Sequence, residues 1–186
     1  MEFKKVMTLL NDGRTFDEIK ELNKTENIFE TKTLTRSKQV FNTVSGRIKT
    51  LDPSVYPIFV NGDLTAQKQI ALIADLAYDT LFFEFVYHVL REKMLVGSDE
   101  YEDSDMRIFF KNIREQDERA SKWTEATLKR LGGSYNSQLL EAGMIERSGQ
   151  GQHTKRILKQ ILDRDVENWL LEHDMELMIK ALTGVA

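Results

Sequence analysis

Pro53 and Pro57 are the only two prolines in 186 residues, and they stand four residues apart. Proline costs about 3 kcal/mol inside a helix, so a chain this poor in it, with glycines mostly between apolar runs, is expected to be mainly helical. The apolar spacing agrees. Phe3, Val6, Met7 and Leu10 place a first helix over Glu2 to Asp12, closed by Gly13. Thr15 with Glu18 three residues on forms a capping box for a second helix carrying Phe16, Ile19 and Leu22. Caps between Thr31 and Thr35 open a third, running to about Leu51, on which Val40, Phe41, Val44, Ile48 and Leu51 share one apolar arc. Asp52-Pro53 stops it.

Beyond a short segment with Tyr56, Ile58 and Phe59, the set Ile70, Ala74, Ala77, Leu81 and Phe85 keeps helical spacing from Leu64 onward. Around Leu81 to Leu90 the pattern is apolar nearly all round, the mark of a buried central helix, and His88 beside Tyr87 is expected to be buried in it. Asp105 is a candidate cap for a helix with Ile108, Phe109 and Ile113, and Thr124 for one with Leu128 and Leu131. Gly132-Gly133 is expected to interrupt the latter, with Ser134 capping its continuation to Gly143. Met144 to Arg147 and His153 to Leu158 flank Ser148-Gly149-Gln150-Gly151-Gln152 as a short β-hairpin, and Val166, Trp169, Leu170, Leu177 and Ile179 mark a final helix with breaks. The expected fold is all-α, with an N-terminal helix-turn-helix (1–52), a central buried helical core (53–104) and a C-terminal winged-helix-like region (105–186).

The hydrophobic fraction of 41% and charged fraction of 30% suit a globular chain with a sizeable core. No cysteine is present, which excludes disulfides and thiolate zinc sites and fits a reducing cytoplasm. The most apolar stretch, 70–90, is interrupted by Asp75, Asp79 and Glu84, and the first ten residues lack a signal-peptide core, so a soluble, unprocessed protein is expected. The net charge of −4 is unlike that of a basic nucleic-acid binder, but the charge is unevenly spread. Residues 31–51 hold Lys32, Arg36, Lys38, Arg47 and Lys49 and no acid; 99–105 hold five acids and no base; 147–164 are basic again apart from Asp163.

Three short helices with tight connections and a basic third member fit a helix-turn-helix. Opposite its apolar arc the third helix presents Thr35, Lys38, Gln39, Asn42, Gly46 and Lys49, with Lys32 and Thr43 nearby. Gln and Asn can pair bidentately with adenine, and lysines suit phosphates. Arg36 and Arg47 flank the arc, where they either reach phosphate or lie along the core edge; a solvated amphipathic face would give the same pattern. The second candidate is the helix, helix, hairpin run 124–158: Lys129 and Arg130 would face phosphate from the helix, and Arg147, Lys155 and Arg156 from the wing. The first block is expected to dominate, because packing fixes its cations whereas a mobile hairpin is costly to order.

Catalytic signatures are missing. His88, His153 and His173 lack metal-ligand spacing, the 99–105 cluster has no turn glycine for calcium and reads as a solvated loop, and Gly149-x-Gly151 is no dinucleotide fingerprint. Neither a catalytic metal nor a nucleotide cofactor is expected, and the chain does not read as an enzyme.

"GDLTAQKQIALIADLAYDTLFFEFVYHVLREKML", "IFFKNIREQDERASKWTEATLKRL", "LLEAGMI" and "FDEIKELNKTENIF" together resemble the BrxA family of BREX phage-resistance systems. The resemblance covers most of the chain and implies an all-helical fold with helix-turn-helix and winged-helix elements. It further implies double-stranded DNA binding and a role in bacterial antiviral defence, with other BREX proteins as candidate partners. The family has also been likened to the NusB transcription-antitermination fold, which adds RNA as an alternative ligand. A protein-interaction scaffold within the defence machinery is a further alternative.

Overall fold

Thr15 opens its helix as its spacing predicts: its hydroxyl accepts from the Glu18 amide at 3.2 Å while the Glu18 carboxylate accepts from the Thr15 amide at 2.7 Å. The computed structural model describes residues 1–148 and 153–185; the expected hairpin tip beyond Ser148, with its Gly149-x-Gly151, lies outside them. The chain forms two compact units, Met1–Tyr78 with Asp163–Trp169, and Asp79–Leu162 with the residues from Leu170 onward.

In the first unit, α1 (Glu2–Asn11), α2 (Phe16–Glu26), α3 (Leu34–Ile48), α4 (Val55–Asn61) and α5 (Leu64–Tyr78) bury Val6, Met7, Ile19, Phe41, Ile48, Val55, Phe59 and Ile73. Thr33 caps α3 through the Arg36 amide, and Asp63 caps α5 through the Ala66 amide. Trp169 donates its indole N–H to the Ser54 hydroxyl at 2.9 Å, and the Asp163 amide donates to Gln69 Oε1 at 2.9 Å. The α2–α3 link is not the tight turn expected. It runs from Asn27 to Thr33, beyond the ~3–4 residues usual for a helix-turn-helix. Asn27, at φ +46°, holds it by bonding both the amide and the carbonyl of Thr31.

A buried polar clasp joins the two helices. Asn23 Nδ2 donates to the Ser37 carbonyl at 3.2 Å, and the Ser37 hydroxyl donates to Asn23 Oδ1 at 2.7 Å. Both residues are about 2% exposed or less, so neither partner can turn to water. Ser37→Ala leaves the Asn23 oxygen unsatisfied and should cost about 1–3 kcal/mol in urea unfolding. An unchanged midpoint would show that the clasp contributes nothing.

The second unit opens where the expected long central helix breaks. Asp79 adopts an extended conformation and caps α6 (Thr80–Phe85) by accepting from the Phe82 amide at 3.1 Å, so α5 and α6 are separate helices. A π-helical turn, Val86–Leu90, follows α6 and leads into α7 (Arg91–Leu95). His88 on that turn is exposed, against expectation: its ring meets the edge of Tyr87 and the helix keeps one face to solvent. Then come β1 (Glu100–Glu102), α8 (Asp103–Gln116), a 3-10 turn at Ala120–Lys122, α9 (Glu125–Ala142), β2 (Ile145–Arg147), β3 (Thr154–Ile157), α10 (Arg164–Glu172) and α11 (Glu176–Thr183). Arg91, 8% exposed, spans the ends of this unit: its Nε donates to the Val185 carbonyl at 3.2 Å while its guanidinium lies over Tyr87.

Phe82, Phe85, Tyr101, Phe109, Phe110 and Tyr135 form the centre of the unit. Phe85 meets Phe109 edge-on at 5.3 Å and Tyr101 at 5.7 Å, and Phe82 stacks on Tyr135 at 4.4 Å. Burial, reinforced by the Asp79 carboxylate, pushes the Tyr135 phenol far above its ordinary value, so it stays a hydrogen-bond donor to Asp79.

Two expectations about α8 and α9 change. Asp105 does not cap α8 but reaches back from inside it to accept from the Glu102 amide at 2.8 Å. Helix α9 runs unbroken through Gly132-Gly133, capped by Thr124 as expected. A Cβ on Gly132 would lie 3.3 Å from Met106 Cγ, so the missing side chain lets α8 approach α9 closely. The hairpin is present and has a third strand: β1, expected as a solvated acidic loop, pairs antiparallel with β3 in the order β1-β3-β2.

Candidate nucleic-acid interface

Apolar burial on one side of α3 sets what the other side presents. Phe41, Val44 and Ile48 face the core, while Lys32, Thr35, Arg36, Lys38, Gln39, Asn42 and Thr43 are exposed. None of the ion pairs among the described residues takes Lys32, Arg36 or Lys38. Arg36, Lys38, two amides and two hydroxyls therefore project from a helix whose rotation the core and the Asn23–Ser37 clasp fix, with Lys32 exposed in the link just before it. Such a surface can meet phosphates and base edges.

The remaining members of this block are engaged. Arg47 lies on the core edge: its Nε is 3.0 Å from Asp75 Oδ1, with the two side chains 28% and 12% exposed. This placement is the core-edge one of its two readings. Lys49 is exposed but its ammonium sits 4.8 Å from the Phe16 ring centre, a cation–π contact. Gly46 is not part of an open face, since a Cβ there would come within 3.0 Å of the Tyr78 ring.

In the second block Lys129 and Arg130 on α9 and Arg147 on β2 are exposed. Lys155 and Arg156, by contrast, are matched by acids at the two ends of β1 and on β2. Lys155 Nζ lies 2.6 Å from Asp103 Oδ1 and is only 11% exposed, over the Tyr101 ring. Arg156 lies 3.0 Å from Asp99 and 3.6 Å from Glu146. Partial burial raises the Asp103 pKa, but hydrogen bonds from Lys155 and His153 outweigh it and hold the carboxyl below its ordinary value. Its stabilising contribution is therefore intact above the ordinary carboxylate range and fades as pH falls through that lowered value. Asp99 and Asp103 were expected in a solvated loop and helix cap, and Glu146 in the hairpin, with no part in holding these cations. The signal for them was the charge complementarity between 99–105 and the basic strand some fifty residues later.

Among the described residues no group of three or more His, Asp or Glu could hold a metal ion, and no helix is long and apolar enough to cross a membrane.

The BrxA family model matches residues 1–174. A protein named BREX protein BrxA from Bacillus cereus is 35% identical over 182 residues, covering 98% of this chain and 85% of the relative. Another BREX protein BrxA, from Paramagnetospirillum magneticum, is 20% identical over 174 residues, covering 94% and 85%. A crystal structure described as an uncharacterized protein from Magnetospirillum magneticum superposes with a TM-score of 0.81 over 99% of this chain and 92% of the other, at 18% identity, and so shares the fold. A family match of this extent, with one relative 35% identical along nearly the whole length, means that the chain belongs to the BrxA family of BREX proteins.

Proposed function

We propose that the protein is a double-stranded DNA-binding accessory component of a cytoplasmic BREX defence system, holding duplex mainly through phosphate contacts with little sequence preference. The observation that carries this reading is the acid-free exposed face of α3 with the link residue just before it, where Lys32, Arg36 and Lys38 have no carboxylate partner among the described residues. Local charge of this kind attracts a polyanion even on a chain of net charge −4, because binding responds to the nearest face rather than the sum. A second feature supports it. The order β1, α8, α9, β2, β3, with β3 between the other strands, suits a winged-helix reading in which Lys129, Arg130 and Arg147 reach phosphates. Phosphate-directed cations outnumber base readers Gln39 and Asn42, hence the weak sequence preference.

The test is a gel-shift series with duplex DNA, single strands and structured RNA at several salt concentrations. Duplex binding should be strongest and should weaken steeply with salt. Affinity that is indifferent to salt, or highest for structured RNA, would overturn the proposal.

A further inference from the structure

Helices α8 and α9 together line an open groove of about 950 Å³. Met106, Phe110 and Leu128 give it an apolar lining, and Gly132 and Gly133 bring the α9 backbone to its surface. The two glycines differ. Gly132 is packed against Met106, but a Cβ on Gly133 would meet nothing within 4 Å, and Gly133 is exposed. A glycine inside a helix weakens it, and none of the described residues uses the space that this one leaves open.

The charges on the groove are also incomplete. Asp103 is held by Lys155, Glu125 by Arg114 at 2.8 Å, and Glu115 by Lys111 at 3.8 Å. Arg107 and Lys129 are exposed and take part in none of the ion pairs among the described residues. The unmatched charge on the groove is therefore positive, beside apolar surface.

We propose that this groove binds an amphipathic helical segment of a partner protein, with an apolar side chain seated over Gly133 and carboxylates directed at Arg107 and Lys129. A helix laid in a groove recognises its site through apolar anchors at helical spacing, and charges at the rim fix its register. Duplex DNA suits the groove less well. Its phosphates gain nothing from Met106, Phe110 and Leu128, and a uniform polyanion would meet the carboxylates of Asp103, Glu115 and Glu125. A peptide can space its acids to match the two free cations. Lys129, a candidate phosphate ligand by its sequence, acquires a role in protein recognition.

The experiment sorts a yeast-displayed library of random 14-residue peptides with fluorescent full-length protein. Gly133→Ala should raise the thermal midpoint, since the position has room for a methyl group, and shows that the site tolerates a side chain. Enriched peptides should combine Leu, Ile or Phe at i, i+4 spacing with Asp or Glu. They should bind Gly133→Met, and separately the exposed double variant Arg107→Glu, Lys129→Glu, about tenfold or more weakly. The double variant decides the matter if Gly133→Met fails to fold. Three results would each overturn the proposal: enrichment of basic peptides, or of none that both variants distinguish from the native protein; loss of duplex-DNA binding in both variants without peptide enrichment; or a concentration-dependent dimer that both variants abolish, making a second copy of the chain the occupant.

Discussion

Replacing Lys32, Arg36 and Lys38 together with alanine should flatten the log–log dependence of duplex affinity on salt by about two to three units, since each phosphate contact contributes roughly 0.9. The loss should be similar for unrelated duplex sequences, as expected when cations meet phosphates and not bases. Arg36 and Lys38 are exposed on a helix fixed by its buried face and Lys32 is exposed in the link before it, so circular dichroism should show a folded variant. Lys155→Ala with Arg156→Ala should do less. The first basic block was expected to dominate because a mobile hairpin is costly to order; in the structure Asp103, Asp99 and Glu146 engage both side chains, which is the ground for this prediction. Binding that falls further in the strand pair than in the helix triple would make the sheet, not α3, the principal contact surface.

Phe85→Ala should cost about 3–5 kcal/mol, the range for removing a fully enclosed phenyl ring. Phe85 is 0% exposed and meets Tyr101, Phe109 and Tyr135, so no neighbour fills the space without abandoning another ring. Typical domain stability is about 5–15 kcal/mol, so a large share would be lost. Urea unfolding followed by near-ultraviolet circular dichroism reads it directly. A loss under about 1 kcal/mol would mean that the aromatic cluster closes over the gap and that the packing described is not what holds this unit together.

The features legible in the sequence are those whose causes lie within one helical turn. Thr15 and Thr124 cap their helices, and Phe41, Val44 and Ile48 form a buried stripe, because each depends on residues three or four positions away. Strand β1 was not legible: its pairing of Tyr101 with Lys155 bridges a long stretch of chain, and three residues carry no period of their own. Helix α4 escaped notice because Pro57 lies inside it, at the third helical position, where the missing amide is one the helix leaves unbonded. Gly132-Gly133 misled for the opposite reason. The intrinsic cost was read correctly, but contact with Met106 outweighs it at Gly132, and propensity carries no information about a neighbouring helix. At the candidate interface, exposure of Lys38 and Gln39 followed from the stripe. The capture of Arg47 by Asp75 depended on which helix packs beside α3.

The π turn at Val86–Leu90 sets the phase of everything after it. Such a turn accommodates one residue more than an α-helix would over the same rise, so the chain leaves it rotated relative to a regular helix. Deleting a single residue between 86 and 90 would restore ordinary hydrogen bonding locally while turning α7 by about 100° about its axis. Arg91 would then swing off the Val185 carbonyl, and Met94 would leave Gly184, where a Cβ would lie only 2.6 Å from its own. A change that improves the local helix would in this way uncouple α7 from the chain's last turn. The reading frame of side chains along that helix, more than its hydrogen bonds, is what the extra residue preserves.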